Sequence, residues 1–108
     1  NSENNSSLAP FIRYLNTWDD NKREKNRKDH GVDFADLEGF FDGDLLTRED
    51  TRQAYPEKRL QSVGVFNGVA LFVVWTPRGE DGDIAHLISA RKAVHHEYKA
   101  WQSRYQKR

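Results

Sequence analysis

Hydrophobic and polar positions alternate with different periods in different parts of the chain. Residues 1–7 are polar throughout and lack apolar anchors, which predicts disorder; a polar leader is expected over 1–16 and a single folded domain over 17–108. Thr17 and Asp20 have the spacing of a capping box, and Asp19 and Asp20 suit the positive end of a helix. That helix runs through the basic stretch 22–28 and stops at His30-Gly31, where Gly31 can take the left-handed conformation. Asp33 then caps a second, short helix with an apolar face of Phe34, Leu37, Phe40 and Phe41, ending at Gly43.

The period changes from there on. Residues 45–47 read as a short edge strand, and 50–58, polar and containing Pro56, as a loop. Residues 60–66 and 69–76 read as strands joined by Asn67-Gly68, the strongest short hairpin signal. A two-residue turn sets Phe66 against Val69 and Arg59 against Thr76. Residues 69–75 are apolar at every position, so this strand should be central and covered on both faces. A loop over 77–83 leads to a third strand over 84–88. Residues 90–105 then read as a helix with a stripe of Ala90, Val94, Tyr98, Trp101 and Tyr105, its other side carrying Lys92, His95, His96 and Lys99. The sum is an α+β domain: two N-terminal helices, a three- to four-stranded antiparallel sheet and a C-terminal helix, packed in layers.

Charge adds a polarity that the pattern does not show. The chain of 108 residues has 17 basic and 17 acidic side chains, so its surface as a whole is no polyanion trap. Residues 36–57 nevertheless hold seven acids and two basic residues, while 84–108 hold six basic residues, one acid and three His. One region is anionic and the other could be a cationic site for a polyanion. There is no Cys, which removes disulfides and thiolate metal sites and fits a cytoplasmic setting. The apolar run over 69–75 is far too short to cross a bilayer.

Several chemistries lack their residues. His95 and His96 are adjacent, so on a helix they point about 100° apart and do not easily share an ion. No glycine-rich loop links a strand to a helix, and no GxSxG nucleophile motif occurs. No cofactor and no metal are expected. What remains is His30, Arg59, Arg78, His86 and Arg91, cations and imidazoles near strand ends. RNA can be cleaved by its own 2′-OH if a protein supplies a base, a cation for the phosphorane and an acid for the leaving 5′-oxygen. Imidazole moves protons near neutral pH, and guanidinium grips phosphate with two parallel hydrogen bonds. Strand parity puts Arg59 and Gln61 on the face of Phe72, Val74 and Thr76; His86 joins them in one of two registers. Arg91, in the first turn of the expected helix, would bind phosphate with the aid of the helix N-terminus, and His86 would remain partly charged.

The spacing of certain residues carries a resemblance. Trp18-Asp19, Lys22, Asn26 and His30-Gly31-Val32 with Phe34 open it. Arg59 before Gly64, Thr76 and Arg78-Gly79, and Ile88-Ser89-Ala90-Arg91-Lys92-Ala93 with Glu97 complete it, in order. This set resembles the BrnT family of toxins. The resemblance implies a RelE-like ribonuclease fold, an RNA-cleaving toxin of a type II toxin–antitoxin pair, and a hetero-oligomer with a neutralising, DNA-binding antitoxin of the BrnA kind, without a membrane. By position it marks Lys22, His30, Arg59, Arg78, Arg91 and Lys92 as site residues; Lys28 and His95 join Lys22 and Lys92 as expected substrate contacts. Two departures stand out: Asp29 where the family has Lys, and His86 where it has Arg. They keep a second reading open, a catalytically degenerate homologue that binds protein or nucleic acid.

Overall fold

Asn67 and Gly68 turn the chain with φ of 52° and 78°, the two consecutive positive values that a type I′ hairpin needs. The computed structural model describes residues 13–106. Around that turn β3 (Leu60–Phe66) and β4 (Val69–Arg78) pair with Phe66 opposite Val69 and Leu60 opposite Trp75. Two more antiparallel neighbours flank them: β2 (Leu46–Glu49) on β3, and β5 (Ile84–Lys92) on β4. A fifth strand, β1 (Leu15–Thr17), lies parallel to the start of β5, giving the order β1-β5-β4-β3-β2. The sheet is therefore five-stranded and mixed, where three or four antiparallel strands were expected.

The first helix, α1, spans Asp20–His30 and is capped by Asp19, whose side chain accepts from the Asn21 amide at 2.8 Å. Thr17, expected in the cap, belongs instead to β1, as do Leu15 and Asn16 from the expected leader; residues 1–12 of that leader lie outside the described residues. Gly31 closes α1 with φ of 72°. The second N-terminal helix is not α-helical but two short 3₁₀ turns, Phe34–Leu37 and Phe40–Asp42. Asp33 does cap the first of these, accepting from the Ala35 amide, and also grips Arg23 of α1 at 2.6 and 2.9 Å. Arg23 holds the Asp33 carboxyl down to about 2.

The largest correction concerns residues 90–94. They were expected to begin the C-terminal helix, but β5 continues to Lys92 and α2 covers only His95–Tyr105. Alternation of apolar and polar residues fits both periods here, and the ladder to β4 decides: Leu71, Phe72 and Val73 pair with Lys92, Arg91 and Ala90. Between Val74 and Trp75 the register slips, and Ile88 is the extra residue of a β-bulge. Without the slip, His86 and Arg91, five residues apart, would face opposite sides. With it, His86 pairs with Thr76 and Arg91 with Phe72, so both lie on one face.

The sheet is covered unequally. One face packs Leu71, Val73, Trp75, Ala85, Leu87 and Ala90 under Phe34, Leu37, Phe40 and Phe41 from the 3₁₀ turns. The other packs Val63, Phe72 and Val74 under Trp101, with Tyr98 and Tyr105 alongside. The indole of Trp101 donates to the Asp44 carbonyl at 2.9 Å and the Tyr105 hydroxyl to that of Leu45. This aromatic stripe therefore belongs to the packing of α2 on the sheet.

Where β1 ends, β5 lacks a strand neighbour. Asn26 of α1 takes that place: its side chain accepts from the Ala90 amide at 3.0 Å and donates to the Ala90 and Val32 carbonyls, each at 2.8 Å. A single amide side chain thus completes the ladder as a strand would, and shields an edge that would otherwise invite pairing.

Candidate functional site

On the face that α2 covers only in part, the ends of β3, β4 and β5 present polar and cationic side chains. His86 is the centre of this group. It pairs in register with Thr17 on one side and Thr76 on the other. Thr17 Oγ1 lies 2.8 Å from His86 Nδ1, which fixes the ring and leaves Nε2 for other work. Burial, and after it the positive charge of Arg78, push the His86 pKa below its ordinary value, with Lys22 acting in the same direction. The lowered pKa shifts the imidazole toward its neutral form, in which Nε2 can accept a proton.

Arg78 reaches Glu57 in a bidentate pair, Nε to Oε2 at 3.1 Å and Nη2 to Oε1 at 2.8 Å. Both partners are well exposed, so the pair is weakly held and open to exchange with a phosphate. Arg78 lowers the Glu57 carboxyl, and the charges of His86 and Arg59 add to the effect. Arg59 stacks its guanidinium 4.1 Å over the ring of Tyr55. The structure thus gathers Arg59, Arg78, His86 and Lys22 of the expected set.

Arg91 behaves differently. It is on β5, not in a helical turn, so the helix N-terminus does not reinforce it. Its Nη1 and Nη2 donate to Glu97 Oε1 and Oε2 at 2.9 and 2.8 Å, and its guanidinium lies 4.1 Å over Phe72. Glu97 also accepts from the Val94 amide at 2.9 Å, and Arg91 is the main reason that its carboxyl is lowered. The pair clamps the start of α2 to the sheet, and its side chains are only 33% and 13% exposed. The register separates Arg91 from His86 by four residue pairs, about 13 Å along a strand.

The remaining expected residues lie apart. His30 ends α1, eight residues from Lys22 and hence about 12 Å further along the helix axis; both line a shallow groove against Ile88 and Ser89. Lys28 lines another groove, with Glu24, Arg27 and Asp33. Lys92 and His95 are exposed at the end of β5 and the start of α2. Among the described residues no group of three or more His, Asp or Glu is placed to hold a metal, and no helix is long and apolar enough to cross a membrane.

The expected site set left out Thr17, Glu57 and Thr76. Thr76 is 2% exposed and its Oγ1 is a buried side-chain atom without a hydrogen-bond partner, beside the imidazole. Strand parity sets Thr76 on the face of Arg59 and Gln61 without marking it as a site residue. Nothing local could have found Thr17, because its contact with His86 depends on a parallel pairing across 69 residues.

Comparison with known proteins adds independent information. The family model described as the ribonuclease toxin BrnT of type II toxin–antitoxin systems matches residues 18–97. Among solved structures, the chain is similar to the ribonuclease toxin BrnT of Brucella abortus: 31% identity, a TM-score of 0.59, with 75% of this chain and 99% of that chain covered. No curated protein matches.

Proposed function

Since the chain belongs to the BrnT family of ribonuclease toxins of type II toxin–antitoxin systems, we propose that it is an RNA endonuclease whose reaction centre is His86. In this reading neutral His86 takes the proton from a ribose 2′-OH. The 2′-oxygen attacks the adjacent phosphorus, the bond to the 5′-oxygen breaks, and the products are a 2′,3′-cyclic phosphate and a free 5′-OH. Arg78 leaves Glu57 for the phosphate, Arg59 adds positive charge, and Lys22 supplies a further cation and the proton for the leaving oxygen. No metal takes part. His30 and Arg91 carry no step here; Lys28, Lys92 and His95 serve as outlying contacts for the RNA backbone.

The observation that carries this reading is the imidazole of His86, held at Nδ1 by Thr17 and set among the cations Arg78 and Lys22. A fold of the RelE kind, a BrnA-like DNA-binding antitoxin as the neutralising partner and action in the cytoplasm belong to the same proposal, and rest on family membership. A second reading has its own support. Arg91 and Arg78 are both paired with carboxylates, and His86 stands where the family has Arg, as a degenerate toxin that only binds its partner would tolerate.

The deciding experiment incubates purified protein with single-stranded RNA in EDTA. Cleavage with cyclic phosphate ends is the expected result. Cleavage that EDTA abolishes and a divalent ion restores removes the metal-free mechanism. No cleavage under either condition, with antitoxin binding intact, favours the degenerate reading.

A further inference from the structure

Beside the reaction centre, on the same face of the sheet, a groove of about 300 Å³ runs between the start of α2 and strands β2, β3 and β4. Leu46, Val63 and Phe72 make an apolar floor, and His96 stands at the rim on α2. Two polar side chains enter from β2 and β3. Arg48 and Gln61 are register partners, and Arg48 Nε donates to Gln61 Oε1 at 2.9 Å. Gln61 is 6% exposed, so its orientation is set by packing as well as by this bond. The bond occupies the amide oxygen and leaves the amide NH₂, together with both terminal nitrogens of Arg48, without partners among the described residues. Glu97 also lines the groove but is held by Arg91 and the Val94 amide, so the groups that β2 and β3 leave without partners there are donors.

We propose that this groove is a base-recognition pocket that takes guanine from a nucleotide flanking the cleaved bond, an inference that rests on the ribonuclease reading above. Guanine presents two adjacent acceptors, N7 and O6, on one edge, and a guanidinium meets them with two hydrogen bonds. Adenine sets its N6 donor against the donors of Arg48 and Gln61, and cytosine does the same with N4. The flat apolar floor suits the π-face of a base, and the imidazole of His96 offers a second stacking surface. Position fits as well. Gln61 faces Val74, two residues from Thr76, whose own partner is His86. From strand spacings, groove and imidazole lie about 12 Å apart on one surface.

The test uses short 2′-O-methyl RNA oligomers, which cannot undergo 2′-OH attack, with one variable base in an adenine background. Affinity is read by fluorescence anisotropy. The guanine oligomer should bind on the order of 10- to 100-fold more tightly than its adenine counterpart. A 7-deazaguanine oligomer, lacking one acceptor, should lose most of that advantage. In Arg48→Ala, an exposed change on an edge strand that should leave the melting curve in place, guanine and adenine should bind alike. Equal binding of the two by the parent protein, or a preference that survives Arg48→Ala, overturns the pocket; if matching 2′-OH RNA is still cut, the ribonuclease reading stands. If no oligomer binds and no RNA is cut, the ribonuclease reading falls, and the pocket falls with it.

Discussion

On one face of the sheet Phe34, Val73, Leu87 and Ala90 have no exposed surface, and five aromatic pairs tie Phe40, Phe41 and Tyr14 to one another and to Trp75 and Phe66. On the other, α2 covers the half nearest Phe72 and Val63 and leaves the half nearest His86 to charged and polar groups. Both faces come from the same three strands, and β4 supplies alternate residues to each. The difference lies in what is laid on top. The sealed face buries few polar groups, the Trp75 indole N–H donating to Ser62 Oγ at 2.9 Å among them, and can hold the fold by apolar burial. The open face can then keep an orphaned hydroxyl, a partly buried imidazole and exchangeable ion pairs, features that weaken a fold but suit a reaction.

Removing an aromatic anchor from the sealed face should give the largest effect. Phe34→Ala empties a fully buried site against the sheet and should lower stability by about 3–5 kcal/mol in denaturant unfolding. A loss under 1 kcal/mol would mean that this face does not carry the fold. On the open face Arg91→Ala should be next. It strands the mostly buried Glu97 carboxylate and frees the start of α2, for a loss of about 1–3 kcal/mol. An arginine exposed in a first helical turn would instead leave stability unchanged; the ion pair to Glu97 makes the difference. An unchanged melting curve together with abolished cleavage would restore Arg91 to the catalytic set.

The smallest effect is one of pH. The pKa of His86 is lowered in the fold, so the base form dominates at neutral pH and is lost as pH falls through a value below 6.5. The cleavage rate should therefore rise to a plateau along an acid limb with its midpoint below 6.5. The same lowering makes the unfolded chain bind more protons in that window, so stability should also fall slightly on acidification there. A rate that falls as pH rises across this window would make His86 an acid or a phosphate ligand instead.

Much of the architecture was legible locally. The Asn67-Gly68 turn, the buried β4, the stop at Gly31 and the Asp33 cap follow from residue types whose conformations are narrow. The boundary at 90–94 was not, because Ala90, Arg91 and Ala93 fit either period and only the ladder to β4 decides between them. β1 has three residues and a partner near residue 84, so no local pattern marks it. The site inherits these gaps. Parity left His86 in one of two registers and the structure selects the one with Arg59 and Thr76. The bulge at Ile88 turns Arg91 to the same face, yet four residue pairs away and engaged with Glu97.

If His86 is the reaction centre, RNA should contact the open face around it while the aromatic face only supports it. Amide chemical shifts of the labelled protein, titrated with an uncleavable 2′-O-methyl RNA, test it most directly. Perturbations should be confined to Lys22, Gln61, Thr76, Arg78 and His86 and their neighbours, with Leu37, Phe40 and Phe41 unmoved. Perturbations centred on the 3₁₀ turns, with His86 and Thr76 unmoved, would contradict it.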